Sequence, residues 1–348
     1  MRYRRKLYRK EAKKQGKVII GGLFTVLLCL TIGYSAFSTK VSLNVKGNIG
    51  TTPDICFKVS DNGDGTGTIT YYDKNCGTKV KIPSKINGLT ITKIGSTEGY
   101  ESDKSFNRKG ISYLWLPDTL TYIGNFAFDG NKLTHIKIPD GVTYIGAHAF
   151  ENNYLTGKLI LPVSIQELGT LSFALNRIMD VDIPSTITYL GGGSFTKNNF
   201  EGDKRYIYGR NSDGTINYET LNSYAGNSSN DVSIPNTVTN IDNCAFYVVH
   251  FDNLELPIQI KSIGSFAFAN SFIKTLTLNE GLEIISDNAF QNNSFTSVTI
   301  PSTIKRIGNN IFSQNVALKT ISIKRKEGTV GNAPWGATNA TVNWAGTN

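Results

Sequence analysis

The side chains with reactive chemistry are few and scattered. Among 348 residues there are three histidines, His135, His148 and His250, and four cysteines. His148 and Cys244 each stand directly before an Ala-Phe pair, and a thiol beside an imidazole is how a cysteine nucleophile is activated. Those pairs belong to units three repeats apart, about 14 Å at a spacing of about 4.8 Å per strand, which is beyond hydrogen-bond reach. Asp180 and Asp182 suggest the carboxylates of a glycosidase, but two apart on one strand they project the same way from an open surface that raises neither pKa. No glycine-rich phosphate loop and no paired-cysteine zinc spacing occurs. The expectation is a protein that binds without catalysing.

One stretch has metal-ligand spacing. Asn62, Asp64, Thr66, Gly67, Ile69 and Asp73 fall at positions 1, 3, 5, 6, 8 and 12 of a calcium-loop template. The first ligand is Asn, the last is Asp in place of Glu, and the flanks have strand character, so a plain hairpin turn accounts for the same residues. Calcium, on Asn62, Asp64 and Asp73, is the only cofactor the spacing admits.

Residues suited to recognition form two sets. Tyr206, Tyr208, Tyr218 and Tyr224 crowd into about 29 residues, 200–229, with Asp213-Gly214 as the turn of a hairpin. Tyrosine offers large contact area with little rotamer freedom to lose; the alternative is a structural patch that buries the rings. The second set is Tyr113, Trp115, His135 and Lys137, which alternate with apolar residues and so point away from the core, followed by Lys158, Ile160, Asp180 and Asp182. An aromatic pair beside charges can anchor a ligand, and a solvated ladder with Lys158 paired to Asp180 is the competing reading.

A repeat must position all of these. The second residue of each Ala-Phe pair, or of its variants, recurs as Phe128, Phe150, Phe173, Phe195, Phe246, Phe268, Phe290 and Phe312, in steps of 22 or 23 apart from one of 51. Prolines keep the same period: Pro117, Pro139, Pro162, Pro184, Pro235, Pro257 and Pro301, with Asn279 standing in once. Such periodicity marks a solenoid whose units bury their apolar faces only by stacking. Within one unit Leu133, Ile136 and Ile138 predict a short strand ended by Pro139. Val142 and Ile145 return to the core, Gly146 permits a tight corner, and Ala149-Phe150 fills the rung. Asparagines near this point (Asn131, Asn152 or Asn153, Asn176, Asn198, Asn270, Asn293, Asn315) can satisfy turn backbone groups.

These units resemble the BspA-like branch of the leucine-rich repeats, which read close to L-x-x-I-x-I-P-x-x-V-x-x-I-G-x-x-A-F. The resemblance covers residues 111–323 and a degenerate first unit at Ile82-Pro83 and Ile94-Gly95; Asp242 and Ser286 depart from it at the corner glycine. It implies a mostly β leucine-rich-repeat solenoid, one short parallel strand per 22- or 23-residue rung with turns and 3-10 or helical segments between. It also implies a bacterial or protozoan surface protein that adheres or binds ligands, with a protein or carbohydrate of a host or neighbouring cell as partner.

The ends supply caps and an address. Residues 51–110 predict a β cap with a hairpin, in which Cys56 and Cys76 lie nearly symmetrically about the turn and either form a disulfide or remain as two partly buried thiols. Residues 324–348, with Trp335 and Trp344, predict a lid over the last rung. The apolar segment 18–37 carries no charge over 20 residues and follows a basic tail, 1–17. It reads as a single-pass membrane anchor or a signal cleaved near Ser38, and either way the repeats face outside. The tail carries nine basic residues against Glu11, so of the +9 formal charge only 9 − 8 = +1 belongs to the rest. A nearly neutral body excludes a nucleic-acid footprint.

Overall fold

The computed structural model describes residues 56–95, 105–227 and 232–345. The tail 1–17 and the apolar segment 18–37 lie outside the described residues. Among the described residues no helix is long and apolar enough to cross a membrane, and apart from the single helical residue Cys56 helical structure is limited to the 3-10 turns Lys74–Cys76 and Gly202–Arg205.

Each rung repeats its contacts one period later, but the main ladder is not where the spacing predicted it. Tyr122–Ile123, Tyr144–Ile145, Glu167–Leu168 and Tyr189–Leu190 pair in parallel as neighbours. Asn240–Ile241, Ser262–Ile263, Ile284–Ile285 and Arg306–Ile307 do the same further on. In every pair the second residue is apolar and buried. The pre-proline segment pairs only in pieces: Lys79–Lys81 with Tyr113–Trp115, Thr156–Ile160 with Arg177–Asp182, Asn253–Glu255 with Thr275–Thr277, and Ser297–Ile300 with Thr320–Ile323, which pairs in turn with Thr341–Trp344. Over 133–138 no strand forms. Hydrogen bonding concentrates beside the corner, where the rungs approach closely.

That approach is the reason for the corner glycine. Gly146 and Gly169 have ordinary φ, so the turn itself does not demand glycine. A Cβ on Gly146 would lie 2.5 Å from Asn125 N, and one on Gly169 would lie 2.2 Å from Ala147 N. The left-handed position is instead the residue before Ala-Phe: φ is 55° at Phe126, 57° at His148, 56° at Cys244 and 57° at Asn288. Such backbone is strained for a residue with a Cβ, and each amide is fixed by the next rung, as in Phe126 N to Ala147 O at 2.8 Å and His148 N to Thr170 O at 2.9 Å.

The core is a column of phenylalanines. Phe128, Phe150, Phe173 and Phe195 stack with ring centroids 5.2, 5.1 and 5.7 Å apart, and Phe246, Phe268 and Phe290 stack at 5.0 and 5.4 Å. Beside them runs a buried amide ladder. Asn176 Oδ1 accepts from Leu155 N at 3.0 Å, while its Nδ2 donates to the carbonyls of Phe150, Phe173 and Ala174. Asn131, Asn153, Asn198, Asn293 and Asn315 act alike. Asn270 does not: the ladder position in its rung is Ser271, which donates to Phe246 O at 3.0 Å.

The described part of the segment 200–229, residues 200–227, forms a second cap and not a surface loop. At the front, Phe57–Asp61 and Thr66–Tyr72 form an antiparallel hairpin whose second strand pairs in parallel with Leu89–Ile94, placing Ile69 beside Ile94. Tyr72 lies three residues after Ile69 and stacks on Phe106 at 5.1 Å. In the middle, Tyr206–Arg210 and Ile216–Tyr224 form another antiparallel hairpin, with Leu221 beside Ile241. Tyr224 lies three residues after Leu221 and stacks on Phe246 at 5.6 Å. Both turns read Asn-x-Asp-Gly-Thr. In each the Asn donates to the Thr hydroxyl at 2.9 Å, and the Asp carboxylate accepts from the Thr amide at 2.9 and 3.0 Å.

The described residues thus form two arrays, each headed by the same hairpin, and the apolar core divides into one cluster from Phe57 to Phe200 with Ala225, another from Leu221 to Ala337, and a small third in which Leu171 and Ala174 of the first array pack with Cys244 of the second. The second cap rung has only three steps from Leu221 to Tyr224 where the next has five from Ile241 to Phe246, so it forms no corner. The preceding corner, Gly191-Gly192-Gly193, closes directly on Asn243 and Cys244: a Cβ on Gly192 would lie 2.3 Å from Asn243 O, and one on Gly193 would lie 2.7 Å from Cys244 O. On the ladder side the sheet that ends at Tyr189–Leu190 gives way to a new one beginning at Tyr206–Arg210. At the far end Trp335 is buried, with Trp344 6.1 Å from it and packed on the second core.

A candidate binding face at the front of the first array

Pairing of Lys79–Lys81 with Tyr113–Trp115 sets Lys79 beside Tyr113 and Lys81 beside Trp115. The central residues, Val80 and Leu114, are buried, and the four flanking side chains are exposed. Tyr113 and Trp115 stack on one another with centroids 6.0 Å apart and remain 52% and 51% exposed. Lys79 Nζ stands 5.2 Å from the centre of the Tyr113 ring. His135 and Lys137 continue the surface one rung on, both exposed. An aromatic pair of this size left half in water, with cations beside it, is a surface that gains free energy when something covers it.

The face ends in closed ion pairs. Lys158 Nζ lies 2.5 Å from Asp182 Oδ2 and 3.9 Å from Asp180 Oδ2, and Lys204 reaches Asp180 at 3.0 Å. The hydrogen bond from Lys204 is the main reason the Asp180 carboxyl sits below its ordinary range, the opposite of what a proton-donating acid needs. The free thiol of Cys244 is buried, and burial pushes it up to about 12, so it offers no thiolate. His148 is held by Glu151 at 2.7 Å and stacked on Phe126, while His250 faces Asp252.

The other sequence candidates separate. Tyr224 is fully buried in the second core, so it is corrected from a ligand contact to the aromatic filler of a rung. Tyr206 and Tyr208 are half-buried against that core, and Tyr218 is 55% exposed, 5.0 Å from Tyr208. Cys56 and Cys76 are joined as a disulfide with Cα atoms 5.8 Å apart.

The calcium template does not converge. Asn62 and Asp64 are engaged with Thr66 and Thr68 within the hairpin turn. Asp73 lies beyond the other end of the strand Thr66–Tyr72, about 20 Å of extended chain away, where it caps the 3-10 turn by accepting from Asn75 N at 2.9 Å. The three are corrected from metal ligands to turn-forming residues, and among the described residues no cluster of His, Cys, Asp or Glu could hold a metal ion.

Sequence reasoning missed the lysines. Lys79 and Lys81 stand in the degenerate first unit, where Ile82-Pro83 and Ile94-Gly95 alone kept the pattern, yet the alternation Lys-Val-Lys was a signal that both point outward.

The chain is similar to known proteins at the level of the repeat. The BspA type leucine rich repeat region matches residues 101–203 and 219–337, in six copies. Among solved structures, a leucine-rich repeat protein from Eubacterium ventriosum is 21% identical with a TM-score of 0.53, over 82% of this chain and 76% of that one. The pneumococcal vaccine antigen PcpA is 18% identical with a TM-score of 0.48, over 84% and 86%. Among curated proteins none matches. With the repeat model covering well over half of its length, the chain belongs to the BspA-type leucine-rich repeat proteins.

Proposed function

We propose that this protein is a surface-displayed recognition module that binds a protein or carbohydrate of a host or neighbouring cell through the front face of its first array, held by or released from the N-terminal segment 18–37. The observation that carries this reading is the exposed Tyr113 and Trp115 stack flanked by Lys79 and Lys81. The corresponding strands of the second array carry Thr275, Thr277, Ser297, Thr299, Thr320 and Ser322, a flat hydroxyl surface without an anchor. A stiff solenoid presents a long shallow surface, which suits macromolecules better than small ligands. Binding energy at such surfaces concentrates in a few aromatic and cationic residues.

Removing both rings, Tyr113→Ala with Trp115→Ala, is expected to weaken binding of the purified chain to target cells at least 30-fold, about 2 kcal/mol, while Thr275→Ala with Thr277→Ala leaves it unchanged. Surface plasmon resonance on immobilised cell extracts reads the difference. Equal loss from both pairs, or saturable binding untouched by the aromatic pair, places the contact elsewhere. Self-association with no cell binding at all favours a structural spacer of the cell envelope.

A further inference from the structure

Where the first array ends, its last rungs and the segment leaving the second hairpin line an open surface pocket of about 300 Å³. Its lining comes from two columns. Tyr154, Arg177 and Asn199 each follow a ladder asparagine and hydrogen-bond their amides to the preceding rung. Asn152 and Lys197 sit two residues after Phe150 and Phe195, and Asn227 closes the side where the hairpin departs. The Arg177 guanidinium lies 4.7 Å from the centre of the Tyr154 ring.

Lys197 is the anomaly. It is half-buried, and burial alone draws its ammonium below the ordinary lysine range. Its one hydrogen bond is a long one, to Asn227 O at 3.4 Å, and among the described residues no carboxylate pairs with it. An ammonium drawn partly out of water without a counter-charge close by costs some stability, and positions that break a local rule without compensation tend to be functional. Beside it the side-chain amides of Asn152, Asn199 and Asn227 make no hydrogen bond among the described residues, leaving three donors-and-acceptors facing one space.

We propose that this pocket binds a carboxylate-bearing sugar, its carboxylate held between Lys197 and Arg177 and its hydroxyls by the amides of Asn152, Asn199 and Asn227. Cations alone would suit any anion. The amides argue for a sugar, since each offers a donor and an acceptor to neighbouring hydroxyls, and the volume fits the small end of ligand pockets. The site is separate from the face at Tyr113 and Trp115, and neither depends on the other.

The test uses the full chain and trigalacturonate as probe, followed by calorimetry, with a neutral trisaccharide, inorganic sulfate and a triglutamate peptide as comparisons. Saturable binding of trigalacturonate at least tenfold tighter than any comparison is expected, with Kd raised at least tenfold by Lys197→Met or Asn199→Ala and unmoved by Trp115→Ala. Lys197→Met keeps the apolar stem and removes a charge that no carboxylate among the described residues pairs with, so its melting temperature should equal or exceed that of the parent. A lower melting temperature with unchanged binding assigns Lys197 a structural role and overturns the proposal. Sulfate or triglutamate binding as tightly as the uronide also overturns it, in favour of a general anion site or a peptide site respectively.

Discussion

Alanine at Gly192 should separate the two arrays. The added Cβ would lie 2.3 Å from Asn243 O and 3.0 Å from Asn243 C, both backbone atoms of the facing rung, so no side-chain rotation relieves the contact and the corner must move. Forced overpacking against a fixed backbone is expected to cost about 3 kcal/mol or more. The loss has a particular form. Repeat arrays owe their cooperativity to the interfaces between neighbours, and at this interface only the small cluster of Leu171, Ala174 and Cys244 bridges the two large cores. Urea denaturation of Gly192→Ala should therefore show two separated transitions with a reduced slope for each, where the parent shows more closely coupled unfolding. Gly331→Ala is the control, having ordinary φ and nothing within 4 Å of its Cβ, and it should leave the curve unchanged. If Gly192→Ala behaves like Gly331→Ala, the arrays are not joined at this corner.

Tyr224→Ala should destabilise the second array by about 3 to 5 kcal/mol, the loss expected for a large aromatic deleted from a core. Tyr218→Ala, by contrast, should fall within about 0.5 kcal/mol of the parent, because that ring is 55% exposed. The contrast matters because both tyrosines lie in the same 200–229 segment, and a recognition loop would show the reverse: little change in stability for either and loss of binding for both. For the same reason deletion of 200–229 cannot leave the fold intact. It removes Leu221 and Tyr224, the residues that cover the Ile241 and Phe246 end of the second core.

Much of this arrangement could be read from the residues. The 22-residue period and the phenylalanine column follow from spacing, because stacking forces each rung to repeat the same volumes at the same places; the placing of Cys56 and Cys76 about the front hairpin left a disulfide and two free thiols both open, and the structure forms the disulfide. What escaped has physical causes. The second cap hid inside the 51-residue step because its filler is Tyr instead of Phe and its corner is two residues short, although Tyr224 stands 22 residues before Phe246. The role of the triple glycine 191–193 depends on a rung 51 residues later. The asparagine register slipped at Asn270 because a Ser hydroxyl performs the same task at the adjacent position.

The candidate face was half legible. Alternation identified Tyr113, Trp115, His135 and Lys137 as outward, but which of the candidate aromatics are free depends on tertiary cover that alternation cannot report. Tyr224 alternates as suggestively as Tyr113 and is wholly buried. The calcium template shows the converse limit, since linear spacing places Asn62, Asp64 and Asp73 in register for a loop while a seven-residue strand carries Asp73 away from the turn.

The most direct test of the central claim, that the front face of the first array makes the contact, is hydroxyl-radical footprinting of the full chain in the presence and absence of target cells, read by mass spectrometry at each exposed aromatic. Protection of Tyr113 and Trp115, with Tyr189 and Tyr218 oxidised equally in both conditions, is the result expected. Protection confined to Tyr189 or Tyr218, with Tyr113 and Trp115 oxidised as in the free chain, would contradict it.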